Sequence, residues 1–470
     1  MNKLLEIDLN ELSNLLEQVK KQGNDYLKNI NGRPTSTKLL VSEEESLNNE
    51  GLGGAKTLKL FNERFEPIMV ASSGPRFWGY VTGGTTPAAI MGDWLATVYD
   101  QNTQGTNQQG DISAIIEMET ISLLLDLFEL PKKFLGGFVT GATMSNFTCM
   151  AVARQWLGKM VNKDFAKDGI SEKINILTAT PHSSVIKSLS LLGIGSNNII
   201  NVKTIEGNRE AISIVDLKAK INELDQQPFI LITSGGTVNT VDFDDFTAIK
   251  ELRKKYNFWW HIDAAFGGCA ACSPTHKHLL KDWEHADSIT IDCHKWLNVP
   301  YENAVFFVKE EHKSLQIQTF QNSNAPYIGN ASDNFNYLHF LPENSRRLKA
   351  LPAWFTLKAY GKEGYKSIVE NCIALAQLFG KKIEESIHFE LLAPILLNNL
   401  CFTLRGEENQ KRVEEFLITL NNTGIVFMTP TFYNNKKGIR ASFVNWRTKP
   451  NDINIAFEEM KKIIIILNIK

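Results

Sequence analysis

The sequence predicts an α/β protein: a large domain on a mainly parallel sheet, followed by a small C-terminal α+β domain. Three observations predict it. Between residues 91 and 355, short β-rich apolar runs alternate with helical patterns, the signature of strand–helix–strand units. Most of those runs end in polar or glycine-rich residues, and the carboxyl ends of strands are where open α/β sheets bind ligands. The chain has 470 residues, more than the about 250–300 that one hydrophobic core usually holds, so more than one domain is expected.

The elements follow in chain order. Residues 1–90 read as an N-terminal arm. In it, Leu5, Leu9, Leu12, Leu16 and Val19 recur at three- and four-residue steps, which predicts an amphipathic helix whose apolar stripe needs covering. The segment 75–87 is rich in glycine, threonine and aromatics and reads as irregular. The large domain, 91–355, carries five apolar runs at 174–180, 229–233, 258–262, 288–291 and 304–308. The small domain, 356–470, has a helical pattern over 364–383, strand-like pieces at 400–404 and 441–444, and a final helix.

Composition excludes several classes of function. Lys and Arg number 50 against 52 Asp and Glu, for a net charge of −2. General affinity for nucleic acid or an anionic membrane needs a basic excess that this chain lacks. Hydrophobic residues at 43% and charged residues at 22% are those of a folded globular chain, not a disordered one. The apolar run 463–467 is far short of the roughly 20 residues of a membrane span. Glu6, Asp8 and Glu11 interrupt the N-terminus, so it does not read as a signal peptide. Six cysteines in this length are no disulfide scaffold and point to a reducing, cytoplasmic setting. Cys269 and Cys272 have metal-ligand spacing but no second pair, so no metal site is expected.

Four strand ends carry reactive residues: Pro181-His182-Ser183-Ser184, Ser234-Gly235-Gly236-Thr237, Asp263-Ala264-Ala265, and Asp292-Cys293-His294-Lys295. Lys295 is followed by Trp296, Leu297 and Val299, which predicts burial. Burial disfavours an ammonium and makes a nucleophilic, Schiff-base-forming amine; a solvated lysine is the bland alternative. Asp263 closes the apolar run Trp259-Trp260-His261-Ile262 and needs a cationic partner there. The protonated ring nitrogen of pyridoxal phosphate would serve, and the small Ala265 would let a ring lie against the backbone. The alternative is a buried arginine or a capped turn. Thr140 to Asn146 leads small residues into a helical pattern, a phosphate site made of backbone N–H groups and the helix dipole. No Gly-Lys-Ser/Thr follows it, so it is not a P-loop.

Together these stretches resemble the group II pyridoxal-phosphate-dependent amino-acid decarboxylases, the superfamily of aromatic-amino-acid, histidine, glutamate and diaminobutyrate decarboxylases. The resemblance rests on Thr140-Gly-Ala-Thr-Met-Ser-Asn146, Pro181 to Ser184, Gly236-Thr-Val-Asn-Thr240, His261-Ile-Asp-Ala-Ala265, and Asp287-Ser288 through His294-Lys295-Trp296. Ser345 to Pro352 and Gly361 to Tyr365 extend it into the small domain. It implies fold-type I, with a mostly parallel seven-stranded sheet, and a homodimer whose N-terminal arms pack on the partner subunit. It implies pyridoxal 5'-phosphate as cofactor, with Lys295 as the Schiff-base lysine and Asp263 facing the ring nitrogen. His182 would stack on the ring, Ala142, Thr143 and His294 would hold the phosphate, and Thr237 and Ala265 would lie near the ring. Tyr327, in Ala325-Pro-Tyr-Ile328, would return the proton, and Phe77, Trp78 and Tyr80 would line the substrate pocket. Arg76 in the same stretch could instead favour an acidic substrate. Two positions depart from the family: Gly236, where a second threonine is common, and Asp292, where many members have asparagine. A carboxylate at 292 would repel a phosphate unless turned away, so Asp292 is left out of the predicted cofactor set. The implied activity converts an L-amino acid to its amine and CO2. An aminotransferase or aldol-type lyase using the same lysine and aspartate, or a non-catalytic cofactor-binding relative, are the alternatives.

Overall fold

Strands with large apolar side chains on both faces need a sheet covered by helices on each side. The computed structural model, which describes residues 2–38, 46–105, 112–207, 209–321 and 335–469, contains such a sheet. Its strands are β1 (Phe134–Val139), β2 (Asn175–Thr178), β3 (Ile199–Asn201), β4 (Phe229–Ser234), β5 (Phe258–Asp263), β6 (Ser288–Ile291) and β7 (Ala304–Lys309). Their spatial order is β1-β7-β6-β5-β4-β2-β3. Only β7 opposes its neighbours, β1 and β6; the remaining pairs are parallel. Successive residues alternate between faces: Phe229, Leu231, Trp260, Ile262 and Phe307 enter one core, and Ile230, Ile232, Trp259, Phe306 and Val308 the other. Met150, Ala153 and Trp156 of the helix Ala142–Met160 cover the second face.

The five expected runs all become strands. Two further strands, β1 and β3, are not among them. β1 reads Phe-Leu-Gly-Gly-Phe-Val, and its glycines mask its strand character. They are there for packing: a Cβ on Gly136 would lie 2.8 Å from the carbonyl oxygen of Phe306 on β7. β3 has three residues at the sheet edge, too few for periodicity to register.

The small domain holds an antiparallel sheet of β8 (Phe389–Leu391), β9 (Asn399–Leu404), β10 (Thr429–Tyr433) and β11 (Lys436–Ser442), ordered β10-β11-β9-β8. The expected pieces at 400–404 and 441–444 correspond to β9 and to the end of β11. The two edge strands are absent from the sequence reading because β8 is short and β10 contains Pro430, tolerated only at an edge. The expected 364–383 helix is the later part of Ala350–Glu384, which kinks at Gly361. One apolar cluster runs from Trp78 through Trp296 and Tyr365 to Ile469, so both domains pack on a common core.

The N-terminal pattern forms two helices rather than one, Lys3–Asn10 and Leu12–Asn29, with no buried residue in either. Leu5 is 63% and Leu16 54% exposed, so none of the described residues covers the stripe. All six cysteines are free thiols. Among the described residues no helix is long and apolar enough to cross a membrane.

Candidate active site

Parallel strands deliver their carboxyl ends to one edge of the sheet, and β2, β4, β5 and β6 do so here. The segments after them meet in one cleft, lined by Thr180, His182, Ser234, Gly236, Thr237, Val238, Asp263, Ala265, Phe266 and Lys295. The other wall comes from far away in sequence: Tyr80 and Val81 from the irregular N-terminal segment, and Arg440 from β11.

Lys295 sits in the one-turn helix Cys293–Trp296. Trp296, Leu297 and Val299 are buried and anchor that turn in the core. The backbone is pinned from the other side by Gly83: a Cβ there would lie 1.5 Å from the Lys295 carbonyl oxygen, so no other residue fits. The sequence predicts an amine in apolar surroundings, and here the structure corrects it. Lys295 Nζ lies 3.2 Å from Asp292 Oδ2, in an ion pair whose carboxylate is buried. Asp292 Oδ1 lies 3.2 Å from His294 Nδ1. Burial pushes the Asp292 carboxyl up, but the adjoining Lys295 and His294 outweigh it and hold it below the usual range. Asp292 therefore faces the amine, which resolves the conflict that removed it from the sequence-derived set.

Ala142 and Thr143 open the helix Ala142–Met160, with Gly141 at its N-cap. The His294 imidazole reaches that helix end: its Cε1 lies 3.5 Å from where a Gly141 Cβ would be. Its ring packs on Tyr301, with centroids 4.3 Å apart. An oriented set of backbone N–H groups and the imidazole next to Lys295 in the chain therefore lie together, although Ala142, Thr143 and His294 are not among the residues lining the cleft.

Asp263 is the last residue of β5. Its Oδ2 accepts from Asn146 Nδ2 at 3.0 Å, and its Oδ1 from the Ala265 N–H at 3.2 Å. Among the described residues no basic side chain pairs with it, so the arginine alternative falls away and its charge faces the cleft uncancelled. His182 caps the helix Ser183–Leu191 through Nδ1, which also meets Ser184 Oγ at 2.7 Å. Burial lowers the His182 pKa; Asp263 opposes that shift, while Lys295 and Arg440 reinforce it. Thr237 lines the cleft, and its hydroxyl accepts from the Asp242 N–H at 2.9 Å, which fixes the turn after β4.

The three predicted pocket aromatics separate. Tyr80 lines the cleft mouth. Trp78 does not: it is fully buried against Phe443 and Phe379, at 4.7 and 5.4 Å between centroids, with Nε1 donating to Pro75 O. Phe77 stacks on Phe427 at 4.6 Å and is likewise absent from the cleft lining. Large aromatic rings beside a pocket motif are as readily used for packing. Arg76 is spent elsewhere too, on Asp452 at 3.0 Å and on the carbonyls of Ile425 and Asn31. Trp78 N–H donates to Phe427 O and Ser442 N–H to Trp78 O, so the N-terminal segment is stitched to the small domain. That stitching brings Tyr80 and Arg440 to the same wall. Tyr327 lies outside the described residues.

Sequence reasoning missed Arg440 and left Asn146 without a role. Arg440 carries no motif; only its place on a strand facing the cleft reveals it. Its guanidinium is largely buried, which lowers its pKa, and its Nε has no hydrogen-bond partner among the described residues.

The set fits pyridoxal phosphate: an amine in the cleft, a carboxylate with no paired cation among the described residues, and a helix N-terminus beside an imidazole. Comparison with known proteins agrees. The model of the pyridoxal-dependent decarboxylase conserved domain matches residues 54–405, and the chain belongs to that family. It is a pyridoxal-phosphate-dependent carboxy-lyase acting on an amino acid. It is 24% identical over 414 residues to an aromatic-L-amino-acid decarboxylase of Catharanthus roseus, covering 84% of this chain and 81% of that one. It is 26% identical over 445 residues to the tryptophan decarboxylase TDC1 of Camptotheca acuminata, covering 87% and 84%. Its fold matches that of Oryza sativa TDC, solved with the cofactor and tryptamine, at a TM-score of 0.89 and 20% identity over 97% of this chain and 98% of that one.

Proposed function

We propose that the chain decarboxylates an apolar, most simply aromatic, L-amino acid, with Lys295, Asp263 and His182 as its cofactor-facing residues. One observation carries this: those three side chains reach a single cleft from three different strand ends. Pyridoxal phosphate supplies, when bound, an electron sink for a bond breaking at the substrate Cα. The chain's own groups do the rest. The helix start at Ala142 and Thr143, with His294, takes the phosphate. Asp263 presents negative charge at the ring nitrogen, and Ala265 leaves room beside it. The Lys295 amine, held by Asp292, would be the group that anchors the cofactor's aldehyde carbon. Arg440 takes a substrate carboxylate, for which a guanidinium is the matching donor. Tyr327 returns the proton to Cα.

Tyr80, Val81, Val238 and Phe266 give the cleft its apolar lining. With Arg76 paired to Asp452, the reading of an acidic side chain loses its motive. Relatives that act on aromatic amino acids support the same class. The test is to incubate the cofactor-loaded protein with each proteinogenic amino acid and to measure amine and CO2. An aromatic or aliphatic substrate should give both in equal amounts. Amino-group transfer without CO2 would overturn the reaction, and turnover confined to acidic or basic amino acids would overturn the substrate class.

The exposed stripe Leu5, Leu9, Leu12, Leu16 and Val19 supports a homodimer in which a second copy covers these helices. A strictly monomeric species at micromolar concentration that still turns over substrate would contradict it.

A further inference from the structure

Behind the cleft lies a chain of hydrogen bonds that neither the motif reading nor the family match explains. Asn146 is its junction. Its Nδ2 reaches Asp263 Oδ2 at 3.0 Å and Ser184 Oγ at 3.1 Å, and its Oδ1 meets His261 Nε2 at 2.9 Å. His261 Nδ1 meets Ser288 Oγ at 2.8 Å, and Ser288 Oγ accepts from Trp259 Nε1 at 3.0 Å. At the other end, Ser184 Oγ and the Ser184 N–H both meet His182 Nδ1, at 2.7 and 3.2 Å. Asn146, His261 and Ser288 are fully buried.

The partners assign every proton. A carboxylate only accepts, so the atom of Asn146 facing Asp263 is the amide nitrogen. Both its hydrogens are then used, on Asp263 and Ser184. The amide oxygen must accept, so His261 carries its proton on Nε2. Burial lowers the His261 pKa to about 4, so the ring is neutral and Nδ1 accepts from the Ser288 hydroxyl. Ser184, accepting from the amide, donates its own hydrogen to His182 Nδ1. His182 is thereby left with its proton on Nε2, the nitrogen with no partner among the described residues, in a ring that lines the cleft. Apart from His182 Nε2, which faces the cleft, each of these polar atoms has a partner, so the chain has one consistent direction.

We propose that Asn146 is a positioning residue that sets the proton arrangement of the cofactor pocket, keeping Asp263 an acceptor and His182 in the Nε2–H form. The inference rests on the cofactor assignment and not on the identity of the substrate.

The test uses holoenzyme labelled with 13C,15N-histidine, read by NMR without substrate. The chain has nine histidines, and His182→Gln assigns the signal of interest. In the native protein His182 should show the neutral Nε2–H tautomer at neutral pH. Asn146→Asp replaces a donor with a carboxylate. The Ser184 hydroxyl should then turn to the new carboxylate, and the His182 signal should shift as Nδ1 keeps only the Ser184 backbone N–H as donor. The new carboxylate, sharing a proton with Asp263, should also weaken cofactor binding about tenfold. Ser184→Ala should alter the His182 signal and leave cofactor retention unchanged, a split that general loosening of the fold would not produce. The proposal is overturned if native His182 is Nδ1–H or charged, or if Asn146→Asp leaves the His182 signal and cofactor affinity as they were. Should Asn146→Asp not fold, an unchanged His182 signal in Ser184→Ala overturns it alone.

Discussion

The two walls of the cleft are built by different means. The large-domain wall is assembled from short segments that each follow a strand, so every reactive side chain sits within a few residues of a rigid sheet edge. The opposite wall is assembled from Tyr80, Val81 and Arg440, which share no local element and meet only because the N-terminal segment is bonded to the small domain. The first wall holds the residues proposed to face the cofactor. The second adds Arg440, proposed for the carboxylate that every amino acid shares, and Tyr80 and Val81, where one side chain can be told from another. The contrast teaches that reactive groups can be placed by local chain geometry, whereas the wall meeting a variable side chain depends on domain packing.

The largest expected effect is on the first wall. Lys295→Ala should abolish turnover, on the order of 10⁴-fold or more as for other covalent nucleophiles. Borohydride reduction of the native protein followed by mass spectrometry should find the cofactor on Lys295, and an adduct at another lysine would break the assignment. Asp263→Ala should follow, with a loss of about 10²–10³-fold in kcat at nearly unchanged melting temperature, since a preorganised charge is removed from the reacting ring. Near-normal turnover would mean that Asp263 does not act on the cofactor.

Arg440→Gln crosses to the second wall. Removing one charge-assisted contact should lower kcat/KM by about 10- to 100-fold while the cofactor stays bound. Equal losses of cofactor and activity would instead make Arg440 part of the first wall. The smallest effect on catalysis separates the two aromatics. Trp78→Ala should cost about 3–5 kcal/mol of stability in denaturant unfolding, as for large buried side chains, with substrate preference unchanged. Tyr80→Ala should leave stability within about 0.5 kcal/mol and alter KM across a panel of amino acids. The reverse pattern would place Trp78, not Tyr80, at the substrate.

Much of the first wall is legible in the sequence. Short apolar runs mark β2, β4, β5 and β6, and the reactive residues sit directly after them. What escaped was whatever depends on a neighbour distant in sequence. Asp292 looked like a liability beside a phosphate until its carboxylate was found against Lys295. Trp78 looked like a pocket residue until its ring was found against Phe379 and Phe443. β1 went unread because its glycines answer to β7 rather than to strand propensity.

The sequence alone determined the class of the sheet and named the candidate amine, carboxylate and helix start at its strand ends, because all of these are encoded within a few consecutive residues. Tertiary structure alone decided which side of each residue faces the cleft: Asp292 toward the lysine, Arg440 into the pocket, Arg76 away to Asp452, and Asn146 between Asp263 and His261. Those choices follow from packing and hydrogen-bond satisfaction among segments up to several hundred residues apart. Such a balance of buried charge and close contact exists only once the chain is folded.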